Sequence, residues 1–202
     1  MKTVVLATNN AHKVAEIATA LDFPGWEFRT LRELGIESDP PEDADTFEGN
    51  ARIKARAAHE ASGGLAALAD DSGLVVDALD GALGVHSARY AGELCDDAAN
   101  NAKLLAALEG VAAPARTARF VSSIAFIEPD GTVTMGEGTC EGTVGTVGRG
   151  AYGFGYDPLF LPDDTPDRTM AELAPYEKNA ISHRFHALQD LCAKLAERGG
   201  RA

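Results

Sequence analysis

Short apolar stretches alternate with amphipathic stretches along the first third of the chain, and this pattern predicts both strands and helices. Residues 4–8 are apolar and β-branched, which predicts a buried strand. Residues 11–21 and 46–62 carry apolar side chains at helical spacing, and a Gly-Gly pair follows the second of these helices. Residues 65–69 form a second short apolar stretch, which predicts another buried strand.

The rest of the chain predicts a hairpin and one long helix. Residues 119–127 and 132–140 have the composition of two strands, and Asp-Gly lies at the turn between them. Residues 180–198 repeat apolar side chains at spacings of four and three, which predicts a single helix. Strands and helices do not alternate strictly, so we expect an α/β fold whose sheet contains some antiparallel pairing. No linker-like stretch divides the chain into separate domains.

Composition narrows the class of protein. The 202 residues are 45% apolar and 24% charged, which excludes wholesale disorder. The net charge of −13 argues against non-specific binding to nucleic acid or to an anionic membrane. The three cysteines form no CxxC pair, so we expect neither a disulfide framework nor a zinc site. No stretch is apolar enough for a signal peptide or a membrane span, which predicts a cytoplasmic protein.

The stretch ATNNAHK at residues 7–13 joins the first strand to the first helix. A helix N-terminus offers free N–H groups and a partial positive charge, which suits phosphate. Thr8, Asn9 and Asn10 add polar side chains, and Lys13 adds a cation one turn into the helix. The alternative is an ordinary capped helix with an exposed lysine, and the stretch is not a P-loop because GxxxxGK is absent.

Two adjacent carboxylates, in the sequence DDSG at residues 70–73, follow the strand predicted at 65–69. Ligands of α/β proteins bind at the carboxyl ends of strands, and carboxylates there can hold Mg²⁺. The alternative is a simple turn, because Asp, Ser and Gly favour turns. Glu42 is a candidate third carboxylate, although the neighbouring acidic residues of its loop compete for that role.

The helix predicted at 46–62 places Lys54 at the edge of its apolar face, on the same ridge as Asn50. Such a lysine either extends along the apolar surface to reach water or points into a cleft that binds an anion. The two interpretations have equal weight on this pattern alone.

Two further stretches carry candidate ligand-binding residues. GFGYDP at residues 153–158 places aromatic rings beside glycines, which favours either stacking on a planar base or a loop anchored by buried aromatics. EKNAISHR at residues 177–184 opens the last helix. On that helix His183 lies off the apolar face and Arg184 lies at its edge, so both are candidate donors to a ligand or parts of a solvated first turn.

These stretches, in this order, resemble the inosine triphosphate pyrophosphatase family, the XTP/dITP diphosphatases. The resemblance covers nearly the whole chain and is carried by ATNNAHK, TFEGNARIKA, ADDSGLVVDAL, SARYAG, GFGYDPLF and EKNAISHR. The sequence departs from the family pattern at Leu83, where Pro is usual, and at Asn9, where Gly is frequent.

The resemblance implies a single domain, residues 1–202, with a long mixed β-sheet, flanking helices and two lobes around a central active-site cleft. It implies a homodimer that uses Mg²⁺ to hydrolyse non-canonical purine nucleoside triphosphates to the monophosphate and pyrophosphate. It makes Asp71 the proton acceptor and a metal ligand, with Glu42 as a second ligand. The substrate contacts that it implies are Thr8, Asn9, Asn10, Ala11, His12, Lys13, Lys54, Ser72, Phe154, Gly155, Tyr156, Asp157, Lys178, His183 and Arg184.

Two alternatives remain at this point. A Maf-type pyrophosphatase would perform the same reaction on other nucleotides, although FGYDP and SHR argue against it. A non-catalytic nucleotide-binding module is the second alternative, and the presence of both Asp70 and Asp71 argues against it.

Overall fold

A computed structural model describes residues 2–20, 25–80 and 82–199. The strands within these residues are β1 (Lys2–Leu6), β2 (Trp26–Thr30), β3 (Ala66–Val76), β4 (Thr117–Ile127), β5 (Val133–Val144) and β6 (Phe160–Pro162). The α-helices are α1 (Ala11–Ala20), α2 (Phe47–Ala61), α3 (Asp97–Ala107), α4 (Pro175–Ile181) and α5 (His183–Gly199). Short 3₁₀ segments lie at Asp77–Leu79, Gly84–Arg89, Ala113–Ala115 and Met170–Glu172. None of the helices in this described part is long and apolar enough to cross a membrane.

The strands form one mixed sheet in the order β2-β1-β3-β4-β5-β6. β1 pairs in parallel with β2 and β3, and β5 pairs antiparallel with β6. β4 and β5 are joined by a tight turn in which Glu128 and Thr132 share a backbone hydrogen bond of 2.9 Å. The predicted mixed sheet, its flanking helices and the hairpin are therefore confirmed.

Helix α2 begins and ends as its sequence predicts. The Thr46 side chain accepts a hydrogen bond from the Gly49 N–H and caps the start of the helix, and Ser62 lies at its end. Gly63 and Gly64 follow with positive φ, which glycine adopts without a steric penalty.

Contact density divides the chain into two compact units. Among the described residues, unit 1 takes those up to Ser72, Ser122–Gly138 and those from Arg184 onward, and unit 2 takes Gly73–Val121 and Thr139–His183.

Unit 1 is built on strands that bury both faces. Val4 and Leu6 of β1 pack with Ile17 of α1 and with Leu188 of α5. Residues that alternate with them along the strands, such as Val5, pack instead against alanines of α2. Successive strand residues point to opposite faces, so the two helical layers of this unit follow from an uninterrupted apolar strand.

Unit 2 has an apolar cluster of its own. Phe120 and Phe160 belong to it, with ring centroids 4.7 Å apart, and Leu104 of α3 packs into the same cluster. Tyr156 belongs to it as well, so part of the predicted GFGYDP loop is anchored in the core.

The predicted end of the strand at residue 69 was wrong. β3 continues from Ala66 to Val76, so Asp70, Asp71, Ser72 and Gly73 lie within an eleven-residue strand and not in a turn. The reason is tertiary: β3 lies between β1 and β4 in the sheet, and both carboxylates are paired with cations. Those interactions outweigh the turn preference of the four residue types.

The helix predicted at 180–198 is confirmed from residue 183 onward, where α5 begins, but its predicted start was wrong. Ser182 has φ −75° and ψ 148°, so extended backbone separates α4 from α5. Ile181, the first residue of the predicted stripe, packs on the unit 2 cluster, whereas Leu188 packs in unit 1. The apolar spacing therefore continues across the break between the helices, although the side chains before and after the break pack in different units.

Candidate active site

The start of α1 is shaped by two polar side chains. The Asn10 carboxamide oxygen accepts hydrogen bonds from the backbone N–H groups of His12 and Lys13, at 2.9 and 3.2 Å. The Thr8 hydroxyl accepts from the Asn10 N–H at 3.1 Å. These contacts fix the strand-to-helix connection that was predicted to bind phosphate and leave Lys13 one turn into the helix.

Asp70 is a fully buried carboxylate that contacts two cations. Its Oδ2 atom lies 2.8 Å from Lys13 Nζ and 3.0 Å from the Arg184 guanidinium. The hydroxyls of Ser122 and Ser72 donate to it at 2.5 and 3.1 Å. Burial acts to raise the pKa of Asp70, but the charges of Arg184 and Lys13 outweigh it and hold that pKa well below its usual value.

Arg184 lies deeper than its sequence pattern predicts. Only 1% of the residue is exposed, although the helical pattern placed it at the edge of the apolar face. One terminal nitrogen of its guanidinium contacts Glu16, and the other contacts Asp70 and, at 2.9 Å, the Ser72 hydroxyl. The burial is therefore explained by paired charges, which the apolar pattern does not record. Of the two interpretations of this first turn, the solvated one is wrong for Arg184 and for His183, since both residues are buried.

Asp71 faces the opposite side of β3 from Asp70, because neighbouring residues of a strand alternate. Its Oδ1 atom lies 2.6 Å from Lys54 Nζ, and the same ammonium lies 3.1 Å from Glu42 Oε2. α2 therefore aims Lys54 at two carboxylates, and it does not simply reach water. Its neighbour on the ridge, Asn50, is buried and accepts from the Ala44 N–H at 3.0 Å.

The second carboxylate oxygen of Asp71 is distinctive. Asp71 Oδ2 is buried and has no hydrogen-bond partner among the described residues. Burial raises the pKa of Asp71, and the nearby Lys54 charge opposes that change. Burial also acts to raise the pKa of Glu42, but Lys54 outweighs it and lowers that pKa. An acceptor oxygen without a donor is suited to bind a metal ion or to accept a proton.

This arrangement fits a divalent cation that is bound jointly by protein and ligand. The described part of the chain has no group of three His, Cys, Asp or Glu side chains that could hold a metal ion alone. Asp71 and Glu42 approach the same ammonium and supply oxygen donors, one of them unpartnered. Mg²⁺ typically takes one or two carboxylates, with phosphate oxygens and waters completing its shell.

We call these residues of unit 1 the charged cluster: Lys13, Glu16, Glu42, Lys54, Asp70, Asp71, Ser72, Ser122 and Arg184. Glu16 was not among the predicted site residues. Its contact partner Arg184 is 168 positions away, and no local pattern marks it.

A second group of candidate residues lies in unit 2, and we call residues 153–157 the aromatic loop. Asp157 Oδ2 accepts from Lys178 Nζ at 2.6 Å and from the Phe154 N–H at 2.9 Å. Lys178 Nζ also lies 4.7 Å from the centroid of the Phe154 ring. Gly153 is required here, since a Cβ would lie 2.1 Å from an Asp157 carboxylate oxygen.

Two other predicted residues of unit 2 are held by core contacts. The Tyr156 hydroxyl donates to the Ser87 carbonyl oxygen at 2.7 Å, and burial raises the pKa of that hydroxyl. His183 is buried, and its ring stacks on Phe120 with centroids 4.9 Å apart. Tyr156 is therefore an anchor of the loop, as one of the two interpretations of GFGYDP predicts.

Comparisons with known proteins show the family to which the chain belongs. A sequence model of the Ham1 family matches residues 4–194. The chain belongs to the Ham1 family.

Individual relatives resemble the chain over nearly its full length. A dITP/XTP pyrophosphatase of Desulforamulus reducens is 52% identical over 186 residues, which are 92% of each chain. The dITP/XTP pyrophosphatase of Bacillus subtilis is 46% identical over 98% of each chain. The solved Ham1 protein of Staphylococcus aureus superposes with a TM-score of 0.86 at 40% identity, covering 98% of this chain and 100% of that one. The resemblance drawn from the motifs is confirmed.

Proposed function

We propose that this protein hydrolyses the non-canonical purine nucleoside triphosphates ITP, dITP and XTP to the nucleoside monophosphate and pyrophosphate. The chain is an enzyme of the nucleoside triphosphate pyrophosphatase class, because relatives 52% and 46% identical to it carry the name dITP/XTP pyrophosphatase. The observation that carries the chemical part of the proposal is the Asp71 carboxylate, with one oxygen on Lys54 and the other, buried, without a partner among the described residues.

The charged cluster takes the triphosphate in this proposal. Lys13 follows the capped N-terminus of α1, and Lys54 lies between two carboxylates. Both ammonium groups can exchange carboxylate contacts for phosphate contacts and so offset the negative charge that develops on the phosphate oxygens. The net negative charge of the chain is no obstacle, because these cations are local.

Asp71 accepts the proton of the attacking water. Burial raises the pKa of Asp71 against the opposing charge of Lys54, and a carboxylate with a raised pKa takes up a proton more readily, as a general base must. When bound by Asp71 and Glu42, Mg²⁺ would make the attacking water more acidic and shield the phosphate charge. The Lys54 ammonium contacts both carboxylates and so offsets the repulsion between them.

The aromatic loop takes the purine base in this proposal. The Phe154 ring offers a flat apolar face, and Asp157 and Lys178 offer an acceptor and a donor beside it. His183 and Arg184 belong to the same substrate contacts. Arg184 would read the 6-oxygen of hypoxanthine and xanthine, since an arginine has donors only and adenine presents an amino donor there. Its Nε atom, buried and without an acceptor among the described residues, is the group with a hydrogen bond still to give.

We extend the proposal to the setting of the enzyme. The family resemblance implies a homodimer with a two-lobed single domain, and the sequence pattern favours a cytoplasmic location. Light scattering of the purified chain would test the homodimer, which requires a mass of about twice the 21.1 kDa of one chain.

The proposed function is tested by pyrophosphate release from ITP, XTP, ATP, GTP and a pyrimidine triphosphate, each with and without Mg²⁺. We expect rapid release from ITP and XTP, slow release from the other three, and loss of activity when Mg²⁺ is chelated. Preference for a pyrimidine triphosphate would contradict the proposed substrate class. Absence of pyrophosphate release from every nucleotide would instead indicate a binding module.

A further inference from the structure

We infer that Asp97 and Asn101 of α3 are positioning residues for the purine base, because their side chains hold the backbone of Gly155 in the aromatic loop. The inference rests on the proposed function, since it assigns these residues to the end of the substrate that the aromatic loop binds. It adds two residues that no motif of the sequence marked.

The contacts engage both polar groups of one glycine. Asp97 Oδ2 accepts from the Gly155 N–H at 2.7 Å, and Asn101 Nδ2 donates to the Gly155 carbonyl oxygen at 2.8 Å. The two side chains are four positions apart on α3, so they share one face of the helix. We call this pair of contacts the Gly155 clamp.

The clamp acts on backbone that would otherwise be free to adopt many conformations. Gly155 has φ +60°, a left-handed conformation that glycine adopts easily, and a Cβ there would meet no atom within 4 Å. The position is therefore held by hydrogen bonds and not by side-chain packing at Gly155 itself. Loss of either contact would allow the residues on both sides of Gly155 to move.

Those neighbours are the proposed base-stacking ring, Phe154, and the anchor of the loop, Tyr156. Phe154 precedes Gly155, and its N–H donates to Asp157. Tyr156 follows Gly155 and is fixed by its hydrogen bond to Ser87. The clamp thus supplies the backbone restraint between the ring of Phe154 and the anchor at Tyr156.

Asn101 shows a sign of specialisation. Its Oδ1 atom is buried without a hydrogen-bond partner among the described residues, while its Nδ2 atom is used on Gly155. A buried acceptor that lacks a donor costs free energy. The hydrogen bond that Asn101 Nδ2 donates to Gly155 is the favourable interaction that offsets this cost.

Neighbouring residues of α3 perform other tasks and supply controls. Asp96 caps the helix by accepting from the Ala99 N–H at 3.0 Å. Asn100 contacts the Ala88 carbonyl oxygen and the Ala91 N–H. An Asp→Ala change at Asp96 removes a carboxylate one residue from the clamp and weakens the same helix without touching Gly155.

The kinetic experiment uses ITP and inorganic tripolyphosphate, which has no base. Asp97→Ala and Asn101→Ala should each raise KM for ITP about 3- to 10-fold, the effect of one lost hydrogen bond, while kcat stays the same. The inhibition constant of tripolyphosphate should not change. Asp97→Asn keeps an acceptor oxygen and should restore KM, and Asp96→Ala should lower Tm without raising KM.

A second readout needs no nucleotide. Amide hydrogen exchange at Gly155 in the ligand-free protein should be faster in Asp97→Ala than in the unmodified protein, and Asp97→Asn should restore the slow rate.

Unchanged exchange in Asp97→Ala would overturn the clamp. The role of the clamp in base binding would be overturned if Asp96→Ala raised KM for ITP as much as Asn101→Ala does. It would also be overturned if Asp97→Ala or Asn101→Ala weakened tripolyphosphate inhibition by the same factor as it raised KM for ITP. Lack of ITP hydrolysis by the unmodified protein would count against the proposed function, and the exchange experiment would still decide the clamp.

Discussion

The charged cluster and the aromatic loop differ in the chemical groups that they offer to a ligand. In the charged cluster three cations, Lys13, Lys54 and Arg184, contact four carboxylates. The aromatic loop has one buried ion pair, Lys178 with Asp157, beside the face of an aromatic ring. The two ammonium groups, Lys13 and Lys54, suit a triphosphate, whereas a ring with one donor and one acceptor suits a planar base. We base on this difference our proposal that the two regions bind different ends of a nucleotide.

Two adjacent carboxylates of the charged cluster, Asp70 and Asp71, differ in how completely their oxygens are paired. Asp70 is fully satisfied by two cations and two hydroxyls, which makes it a structural anchor for Lys13 and Arg184. Asp71, the next residue, keeps an oxygen without a partner among the described residues. Alternation along β3 separates these roles, because it directs the adjacent side chains to opposite faces of the strand.

The largest expected effect is that of Asp71→Asn. An amide cannot accept a proton and is a poorer metal ligand, so kcat for ITP should fall at least about 10²-fold while Tm stays close to that of the unmodified protein. Pyrophosphate release and thermal unfolding measure the two quantities. Asp80→Asn, at an exposed carboxylate beyond the end of β3, is the matched control and should keep full activity. A folded Asp71→Asn protein with unchanged kcat would remove this residue from the mechanism.

Arg184→Met tests how much the ion pairs of Arg184 with Asp70 and Glu16 contribute to the free energy of unfolding. The change leaves two carboxylates, on Asp70 and Glu16, without that guanidinium, so the free energy of unfolding should fall by about 3–5 kcal/mol. Urea denaturation measures the loss, and Arg56→Met on the exposed surface of α2 should have little effect.

The same variant tests base reading under conditions where it remains folded. The kcat/KM for ITP should fall more than that for ATP, because only the 6-oxygen pairs with an arginine donor. An unchanged ratio would assign base reading to another residue, with His183 and Lys178 the next candidates.

Lys13→Ala tests the phosphate end alone. Loss of a charged hydrogen bond to phosphate should raise the inhibition constant of tripolyphosphate about 10- to 100-fold. The preference for ITP over ATP should stay the same, because a phosphate contact carries no information about the base. Lys194→Ala, an exposed lysine paired with Asp190, is the control. A change in base preference larger than the change in tripolyphosphate binding would reverse the assignment of the two regions.

Phe154→Ala is the opposite test and has the smallest expected effect of this series. Loss of one stacked ring should raise KM for ITP about 5- to 50-fold. Tripolyphosphate inhibition should be unchanged, since that probe has no base. Equal losses for ITP and tripolyphosphate would show that the aromatic loop does not act on the base alone.

Local signals predicted the regular elements well. The bounds of α2 follow from Thr46 at its start and the glycines after its end, both of which act within one turn of the helix. The strand was predicted to end before the DDSG stretch, whose residue types favour a turn, and the sheet partners that override this preference are distant in sequence. The break at Ser182 was hidden because the apolar spacing continues across it.

The sequence identified individual site residues, but it did not predict which of them contact each other. The motifs identified Lys13, Lys54 and Asp71 as candidates, and the structure places Lys54 on Asp71 and Lys13 on Asp70. The burial of Arg184 was missed because it depends on Glu16 and Asp70, more than a hundred positions away. The Gly155 clamp was missed for another reason: contacts to a backbone leave no pattern in the residue that receives them.

We propose that the enzyme directs water to the α-phosphorus of a non-canonical purine triphosphate. Hydrolysis of ITP in ¹⁸O-labelled water, with the products analysed by mass spectrometry and ³¹P NMR, tests the point of attack. We expect IMP and pyrophosphate as the products, with one labelled oxygen in IMP and none in pyrophosphate. Label in pyrophosphate, or formation of IDP and inorganic phosphate, would contradict it.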